Sequence, residues 1–266
     1  MKPFHCVVCV KPVPDFSAQP MEFDRQTKTV KRENVPTIIN PLDKNALEAA
    51  LRLKESYGGK VTALAMAPPL AADLLREVLA YGADEAVLLS DRAFAGSDTL
   101  ATSYVLAQGI RQKIGPFDLI LAGAASADGG TAQVGPQLAE LLDIPHVSFA
   151  TALARTGEDT LEAAAKTEEG AVRLELRLPA LVTVTREINE PRTLALFGIA
   201  AAAAKPLRVF GAADLEIEEA RAGERGSPTR IADLVEISLA RRGEILPAAP
   251  ETAVFLAQKF KEWGVL

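Results

Sequence analysis

The sequence predicts an α/β protein built on a doubly wound, mostly parallel β-sheet, followed by an antiparallel hairpin and a C-terminal arm. Short runs rich in Val, Leu and Ile alternate with segments of helical periodicity over the first 145 residues. Within each run the residues are apolar at successive positions, which is typical of parallel strands covered by helices on both faces. Near residue 145 this pattern gives way to strict alternation, which is typical of an antiparallel strand.

The strands predicted first are "HCVVCV" (5–10), "KVTALAM" (60–66), "EAVLLS" (85–90) and "DLILAG" (118–123). Helical segments separate them. In "DKNALEAALRLKESYGG" we expect Asp43 to be the N-cap and Gly58 to end the helix. The segments "AADLLREVLAYGAD" and "DTLATSYVLAQGIRQKIG" have the same periodicity. Strands separated by helices imply right-handed crossovers and parallel pairing.

The later part of the chain is predicted to be antiparallel and then irregular. In "TLEAAAKTEEGAVRLELRLPALVTVT" a Glu-Glu-Gly turn precedes a strand with Val172, Leu174, Leu176 and Leu178 on one face. A closing helix is predicted at about 251–263. Before it, "EEARAGERGSPTRIADL" has too little apolar content for its own core, so it packs on its own domain or on another chain. We therefore expect an α/β domain over 1–200 and an arm over 201–266.

Composition excludes some classes of function. A net charge of −6 and an aromatic content of 5% argue against nucleic acid as a partner. A membrane span is not expected, because no window of about 18 residues is uninterruptedly apolar. The N-terminal apolar run lacks a cleavage site and is interpreted as a strand. Cys6 and Cys9 in this strand would face opposite ways, as two reduced, buried thiols of a cytoplasmic protein.

A glycine-rich stretch, "AGAASADGGTAQVGPQLAELL" (122–142), follows the fourth strand. Ligands of open α/β sheets bind beyond the carboxyl ends of the strands, and Gly129-Gly130 would let the backbone approach one closely. Thr131 and Gln133 offer donors where a helix N-terminus favours an anion. A helix that starts at Thr131 would contain Pro136 in its interior, whereas a start near Gly135 places that proline in the first turn.

Two further stretches place polar residues at helix starts. "SDRAFAGSDTLATSY" (90–104) gathers Asp98, Thr99, Thr102 and Ser103 at a helix start. A helix N-cap at Asp98 or Ser97 accounts for one of these polar residues but not for the hydroxyl residues that follow. "IINPLDKNALEAAL" puts Asn40 and Pro41 before a helix. An ordinary turn followed by a helix cap is enough to explain these two residues. Neither familiar phosphate motif is present, so the residues indicate a phosphate-bearing ligand or an ordinary turn. Without a catalytic triad, carboxylate pair or metal cluster, a cofactor holder is favoured over a hydrolase.

Seven stretches in order resemble the beta subunit of electron transfer flavoproteins, almost from end to end. They are "CVKPVPD" (9–15), "INPLDKNALEAALRLKE" (39–55), "YGADEAVLLSDRAFAGSDTLATSY" (81–104), "DGGTAQVGPQLAELL" (128–142), "KTEEGAVRLELRLPALVTV" (166–184), "EINEPRTLALFGI" (187–199) and "GSPTRI" (226–231). The resemblance implies an adenine nucleotide alpha-hydrolase-like fold with a C-terminal arm. It also implies a heterodimer with an alpha subunit that carries an FAD.

The resemblance further implies that this chain holds an adenine nucleotide, largely through backbone groups. The positions that correspond to the family's contacts are Cys9, Asn40, Pro41, Leu42, Asp43, Met66, Gly123, Ala124, Ala125, Ser126, Ala127, Asp128, Gly129, Gly130, Thr131, Ala132, Gln133 and Val134. The residue expected to contact the redox partner is Leu196, flanked by Leu194 and Phe197. Core packing of Leu196 is the alternative.

The nucleotide itself is expected to be FAD, with AMP as the alternative. Single-flavin members of the family hold AMP. Bifurcating members hold a second FAD, oxidise NADH, and divide the electrons between a low-potential acceptor and an acyl-CoA dehydrogenase. "DRAFAGSDTLATSY" and "NPLDKNALEAAL" resemble the bifurcating branch, where Asp98, Thr99, Thr102 and Ser103 would help hold the second FAD. A nucleotide-binding protein without redox function is a third possibility.

The sequence also departs from the family pattern. Ala124 and Ala125 stand where the family usually has Arg and Gln, and Gly130 stands where Asp is common. An arginine lost beside a nucleotide removes a fixed cation and its planar donors. In addition, "AAAAAK" (200–205) replaces a lysine-rich stretch, so the choice of partner is expected to differ.

Overall fold

The computed structural model describes residues 3–15, 23–24, 29–30, 36–232, 243 and 245–265, in two units, Met1–Ala232 and Asp233–Leu266. The strands of the first unit are β1 (Phe4–Cys9), β2 (Pro12–Pro14), β3 (Phe23–Asp24), β4 (Thr29–Val30), β5 (Thr37–Ile39), β6 (Gly59–Met66), β7 (Glu85–Leu89), β8 (Leu119–Gly123), β9 (His146–Arg155), β10 (Thr160–Thr167), β11 (Gly170–Arg177), β12 (Ala180–Val184) and β13 (Leu207–Phe210). Its helices are α1 (Pro41–Tyr57), α2 (Ala71–Tyr81), α3 (Thr99–Gly109), α4 (Val134–Leu142) and α5 (Leu196–Ala202).

Nine of these strands form one sheet in the order β11-β10-β9-β12-β8-β1-β6-β7-β13. All neighbours from β9 to β13 pair in parallel, whereas β10 is antiparallel to β9 and β11. Residues of α1 and α2 pack in one core cluster and residues of α3 and α4 in another. The predicted doubly wound α/β fold is confirmed.

Strand β1 shows why two cores form. Cys6 and Val8 belong to the α1–α2 cluster, whereas Val7 and Cys9 belong to the α3–α4 cluster. Successive side chains of a strand point to opposite faces, so a strand covered on both sides must be apolar throughout. Both cysteines are free and buried, on opposite faces as expected.

Helix α1 begins earlier than the sequence suggested. Asn40 is its N-cap residue, and Pro41 occupies the first helical position, where its fixed φ suits a helix start. The expectation that Asp43 caps the helix is wrong, because its carboxylate instead accepts backbone N–H groups from outside the helix. Gly58, with φ +72°, ends the helix as predicted. Helix α4 takes the later of its two expected starts, with Pro136 in the first turn.

The predicted hairpin is β10–β11, which turns between Thr167 and Gly170. It is part of a larger antiparallel region than expected, because β9 pairs with β10 as well. The apolar face of β11 is covered only near its end: Leu176 is 4% exposed, whereas Val172 and Leu174 are 41% and 43% exposed.

The first unit extends to Ala232, beyond the expected boundary at residue 200. Strand β13 pairs with β7 at the edge of the sheet, which the polar sequence around it concealed. Gly223 comes so close to the 3₁₀ turn at Arg92–Phe94 that a Cβ would lie 2.2 Å from the Ala93 carbonyl oxygen. Residues 218–232 of the polar stretch therefore pack on their own domain, and residues 233–234 lie outside the described chain.

The second unit contains α6 (Pro250–Glu262), within a residue of the predicted closing helix. Gly264 follows it with φ +68°. Several apolar side chains of this unit are exposed, among them Val254 and Trp263 at 61% and 66%. None of the helices in the described ranges is both long and apolar enough to cross a membrane.

Candidate functional site

A cleft of about 1080 Å³ runs along the carboxyl ends of β8, β1, β6 and β7. The chain leaves β1 for β6 on one side and later returns to β8 on the other, with covering helices on opposite faces. A crevice opens where the winding direction reverses, and this is where open α/β sheets bind ligands. Four neighbouring parallel strands span about 14 Å, so the cleft can accept an extended molecule.

The start of α1 holds the two central strands in place. The Asp43 carboxylate accepts the N–H of Lys11 at 2.8 Å and the N–H of Gly123 at 3.0 Å, which joins the ends of β1 and β8. The Asn40 side chain donates to the Ala125 carbonyl at 3.0 Å and accepts the Ala127 N–H at 3.1 Å. Both polar side chains are buried, and their hydrogen bonds fix the floor of the cleft.

Burial raises the pKa values of two groups at the floor of the cleft, the Asp43 carboxyl and the Cys9 thiol. Desolvation raises the pKa of Asp43 to about 6, although the N–H groups of Lys11 and Gly123 and the Asn40 amide favour its ionised form. Burial, and then the Asp43 charge, raise the pKa of the Cys9 thiol to about 12. Cys9 is therefore a neutral thiol at physiological pH and a poor nucleophile.

We expect Asp43→Asn to alter how stability depends on pH. The folded chain keeps the Asp43 proton up to about pH 6, whereas an unfolded aspartate loses it near pH 4, so this stabilisation is complete below pH 4 and lost as pH rises through 6. Between pH 4 and 7 the wild type should therefore lose about 2 kcal/mol of unfolding free energy relative to the variant. Urea denaturation across this range measures the difference.

Asp98→Asn provides the matched comparison with the opposite sign. Burial opposes ionisation of Asp98, but the N–H groups of Ala101, Thr229 and Leu100 outweigh it and lower the pKa. Stabilisation by Asp98 is present at neutral pH and lost on acidification. A wild-type advantage over Asp43→Asn that grows as pH rises would contradict the assignment of Asp43.

Small residues and the ion pair between Lys11 and Asp128 shape the loop after β8. A Cβ at Gly123 would lie 2.5 Å from Asp43 Oδ1, so no larger residue fits there. Lys11 Nζ donates to Asp128 Oδ1 at 2.6 Å and to Ser126 Oγ at 3.3 Å. Gly130, with φ +63°, turns the chain toward α4. The lysine thus holds the loop and presents a cation to the cleft.

The N-termini of α3 and α4 meet across the cleft. The backbone N–H groups of residues 131–135 donate to no acceptor within the described chain, so they are available to an anion. Asp98 caps α3, and Thr99 Oγ1 donates to Gln133 Oε1 at 3.1 Å. Thr102 lines the cleft, and its hydroxyl has no hydrogen-bond partner among the described residues. The donors suit a phosphate ligand.

The structure gathers most of the expected nucleotide contacts around this cleft. Those that line it are Cys9, Asn40, Asp43, Met66, Asp98, Thr99, Thr102, Gly123, Ala124, Ala125, Ser126, Gly129, Thr131, Ala132, Gln133 and Val134. Those that do not line it are Pro41, Leu42, Ser103, Ala127, Asp128 and Gly130. Ser103 is fully buried, and its hydroxyl donates to the Thr99 carbonyl at 2.7 Å, so this side chain is committed to the helix.

Sequence reasoning missed several residues that line the cleft, including Lys11, Ser90, Arg92, Thr229 and Ile231. Lys11 and Ser90 lie within two residues of the ends of β1 and β7, so the rule that ligands lie beyond strand ends could have identified them. Thr229 is brought in by its N–H bond to Asp98 Oδ2 at 3.0 Å, a contact across 131 residues that no local pattern reveals.

The residues expected to contact a partner lie on α5 and just before it. Leu194 is 36% exposed, Leu196 83% and Phe197 90%, so the alternative that Leu196 packs in the core is wrong. A Cβ at Gly198 would lie 2.3 Å from the Ala80 carbonyl oxygen, which shows how closely α5 packs on α2. Leu196 and Phe197, the two most exposed of the three, therefore project from a firmly seated helix.

The profile of the electron transfer flavoprotein domain matches residues 27–215. The chain belongs to the electron transfer flavoprotein family. It is 43% identical to the electron transfer flavoprotein subunit beta of Clostridium acetobutylicum, over 96% of this chain and 97% of the relative. It is 44% identical to protein FixA of Bradyrhizobium diazoefficiens, over 85% and 80% of the respective chains.

A third relative of this electron transfer flavoprotein chain is subunit CarD of the caffeyl-CoA reductase-Etf complex of Acetobacterium woodii. The two are 40% identical over 98% of this chain and 99% of the relative. The resemblance to beta subunits inferred from seven sequence stretches is thus confirmed over nearly the full length.

Proposed function

We propose that this chain is the beta subunit of a heterodimeric electron transfer flavoprotein and that its cleft holds a second FAD, as in bifurcating members. The observation that carries the proposal is the continuity of the cleft. The glycine-rich loop after β8 and the Thr99–Thr102 face of α3 line one cavity, so a single ligand can contact both. A mononucleotide needs only the first of these surfaces, whereas a dinucleotide can use both.

The residues present fit a dinucleotide. A volume of about 1080 Å³ is at the upper end for small-molecule sites. The free N–H groups at the start of α4 and the Lys11 ammonium suit a pyrophosphate, and the Thr102 hydroxyl is available for a polar group farther along. Bound FAD would supply the redox chemistry, and the chain would bind it, orient it and keep water from it.

The proposed partners follow from exposed surfaces and from the relatives. Leu196 and Phe197 would dock an acyl-CoA dehydrogenase, and the exposed apolar side chains of α6 would meet the alpha subunit. CarD belongs by name to a complex with a reductase of a CoA thioester, which supports a CoA-dependent redox partner. NADH as donor, a low-potential acceptor and a cytoplasmic location belong to the same proposal.

AMP remains the second candidate for the cleft, with FAD confined to the alpha subunit. It is favoured by Ala124 and Ala125, which offer the ligand no side-chain cation or amide on the loop after β8. The third candidate is a nucleotide-binding protein without redox function. The exposed side chains of Leu196 and Phe197 argue against it, because such a protein needs no apolar docking surface.

The test is to co-express the chain with its alpha subunit, denature the purified complex and quantify the released nucleotides by chromatography. We expect two FAD per heterodimer. One FAD and one AMP would overturn the bifurcating assignment and leave a single-flavin carrier. The absence of any nucleotide beyond the flavin of the alpha subunit would remove the cleft as a nucleotide site.

The same measurement on two neighbouring hydroxyl variants locates the ligand. Thr102→Ala should lower FAD retention, because Thr102 lines the cleft and its hydroxyl is not bonded to any described residue. Ser103→Ala is the matched control, because that hydroxyl is buried in contact with the Thr99 and Val134 carbonyls. Equal retention in wild type and Thr102→Ala would exclude the α3 wall from the site.

A further inference from the structure

The segment that leads to the exposed apolar residues is tied to α1 at its base. Asn45 and Asn189 form a reciprocal pair: Asn45 Nδ2 donates to the Asn189 carbonyl at 2.8 Å, and Asn189 Nδ2 donates to the Asn45 carbonyl at 3.0 Å. Two turns farther along α1, Arg52 Nη2 donates to the Glu190 carbonyl at 3.2 Å. The segment is therefore fixed to a rigid helix before it reaches Leu194.

Arg192 makes the strongest contacts in this segment. Its Nε donates to Glu48 Oε2 at 2.6 Å, and its Nη1 donates to Glu55 Oε1 at 2.7 Å. Glu48 is 4% exposed and also accepts Arg52 Nε at 2.7 Å. One planar guanidinium thus bridges two carboxylates that lie two turns apart on α1, a geometry that lysine cannot reproduce.

A second anchor lies on the far side of the apolar residues. Arg76 Nη1 donates to the carbonyls of Ala202 and Lys205, at 3.0 and 2.7 Å, and so holds the end of α5. Leu194, Leu196 and Phe197 lie between this anchor and Arg192. Side chains presented between two fixed points lose little conformational entropy when they bind, which favours affinity.

We propose that Arg192 is a positioning residue for docking of the redox partner: it holds the Leu194–Phe197 surface in its binding conformation through Glu48 and Glu55. The inference rests on the proposed function of that surface. Arg192 itself need not touch the partner. Its loss frees the segment before α5, so the partner must order the segment again on each encounter.

The test uses the holo heterodimer and a short-chain acyl-CoA dehydrogenase reduced with its acyl-CoA. Arg192→Met should raise the KM for the dehydrogenase about tenfold, with kcat and flavin content unchanged, because only docking is weakened. Arg192→Lys keeps the charge without the planar fork and should fall in between. Arg225→Met is the control, since Arg225 is 84% exposed and 3.9 Å from its nearest carboxylate.

Leu196→Ala, alone and combined with Arg192→Met, distinguishes failure of the Arg192 proposal from failure of the docking surface on which it rests. If Arg192 acts through the surface, the double variant should be little worse than Leu196→Ala. An effect of Leu196→Ala without one of Arg192→Met, or fully additive effects, would overturn the positioning role alone. No effect of Leu196→Ala would overturn the docking surface as well. Glu55→Gln, at an exposed carboxylate, gives the same readout if Arg192→Met does not fold.

Discussion

Gly123→Ala should deprive the protein of its nucleotide and destabilise it. The new methyl group would lie 2.5 Å from Asp43 Oδ1 and 2.7 Å from Leu42 Cβ, so β8 and α1 must move apart. That movement breaks the hydrogen bond from the Gly123 N–H to Asp43 and displaces the loop that begins there. Overpacking at a buried contact costs about 3 kcal/mol. Nucleotide released per purified heterodimer and the midpoint of urea unfolding measure both effects.

Gly243→Ala is the matched control, because no atom of the described residues lies within 4 Å of a Cβ at that position. It should retain the nucleotide content and unfolding midpoint of the wild type. A Gly123→Ala protein with normal nucleotide content would show that the loop tolerates displacement and that the ligand depends on other contacts.

Leu196→Ala should impair electron exchange with the dehydrogenase and leave flavin content and folding intact. Because Leu196 is 83% exposed, it contributes little to the core, and truncation should act on association alone. An apolar anchor at an interface is worth about 2 kcal/mol, which corresponds to about a thirtyfold loss in kcat/KM. Stopped-flow oxidation of the reduced dehydrogenase by the heterodimer measures it.

Leu70→Ala removes the same side chain at the same 83% exposure, from the residue just before α2. It should exchange electrons at the wild-type rate. If both leucine variants behave alike, α5 has no special part in docking, and the exposed apolar pair must serve another contact.

The sheet was predictable because its parallel strands are apolar on both faces, as in β1, where the four residues from Cys6 to Cys9 enter two cores in alternation. The N-cap of α1 was not predictable in the same way, because the Asp43 carboxylate bonds to the N–H of Gly123, eighty residues away, and not to an N–H of its own helix. The domain boundary was misplaced because β13 completes the sheet from within a polar stretch. Local patterns predict elements well, and they fail where a distant partner decides the outcome.

The same division holds for the cleft. The loop after β8 and the start of α3 were identified because they follow strands and carry glycine or hydroxyl residues. Ser103 could not be separated from Thr102 without the helix orientation, which buries Ser103 and places Thr102 on the cleft wall. Thr229 entered the wall only through its bond to Asp98.

Buried polar residues occupy two successive stretches of α1 and its N-cap. The first stretch holds the loop after β8, and the second holds the segment before α5. Asn40 and Asp43 hold the floor of the cleft, and Asn45 and Glu48 hold the segment before α5. Substitutions intended to change the ligand therefore have different side effects on the two sides of the cleft, the start of α1 and the β7–α3 side. Substitutions along β7 and the start of α3 leave the contacts of α1 with the segment before α5 in place, whereas those at Asn45 or Glu48 would also disturb the proposed docking surface for the redox partner.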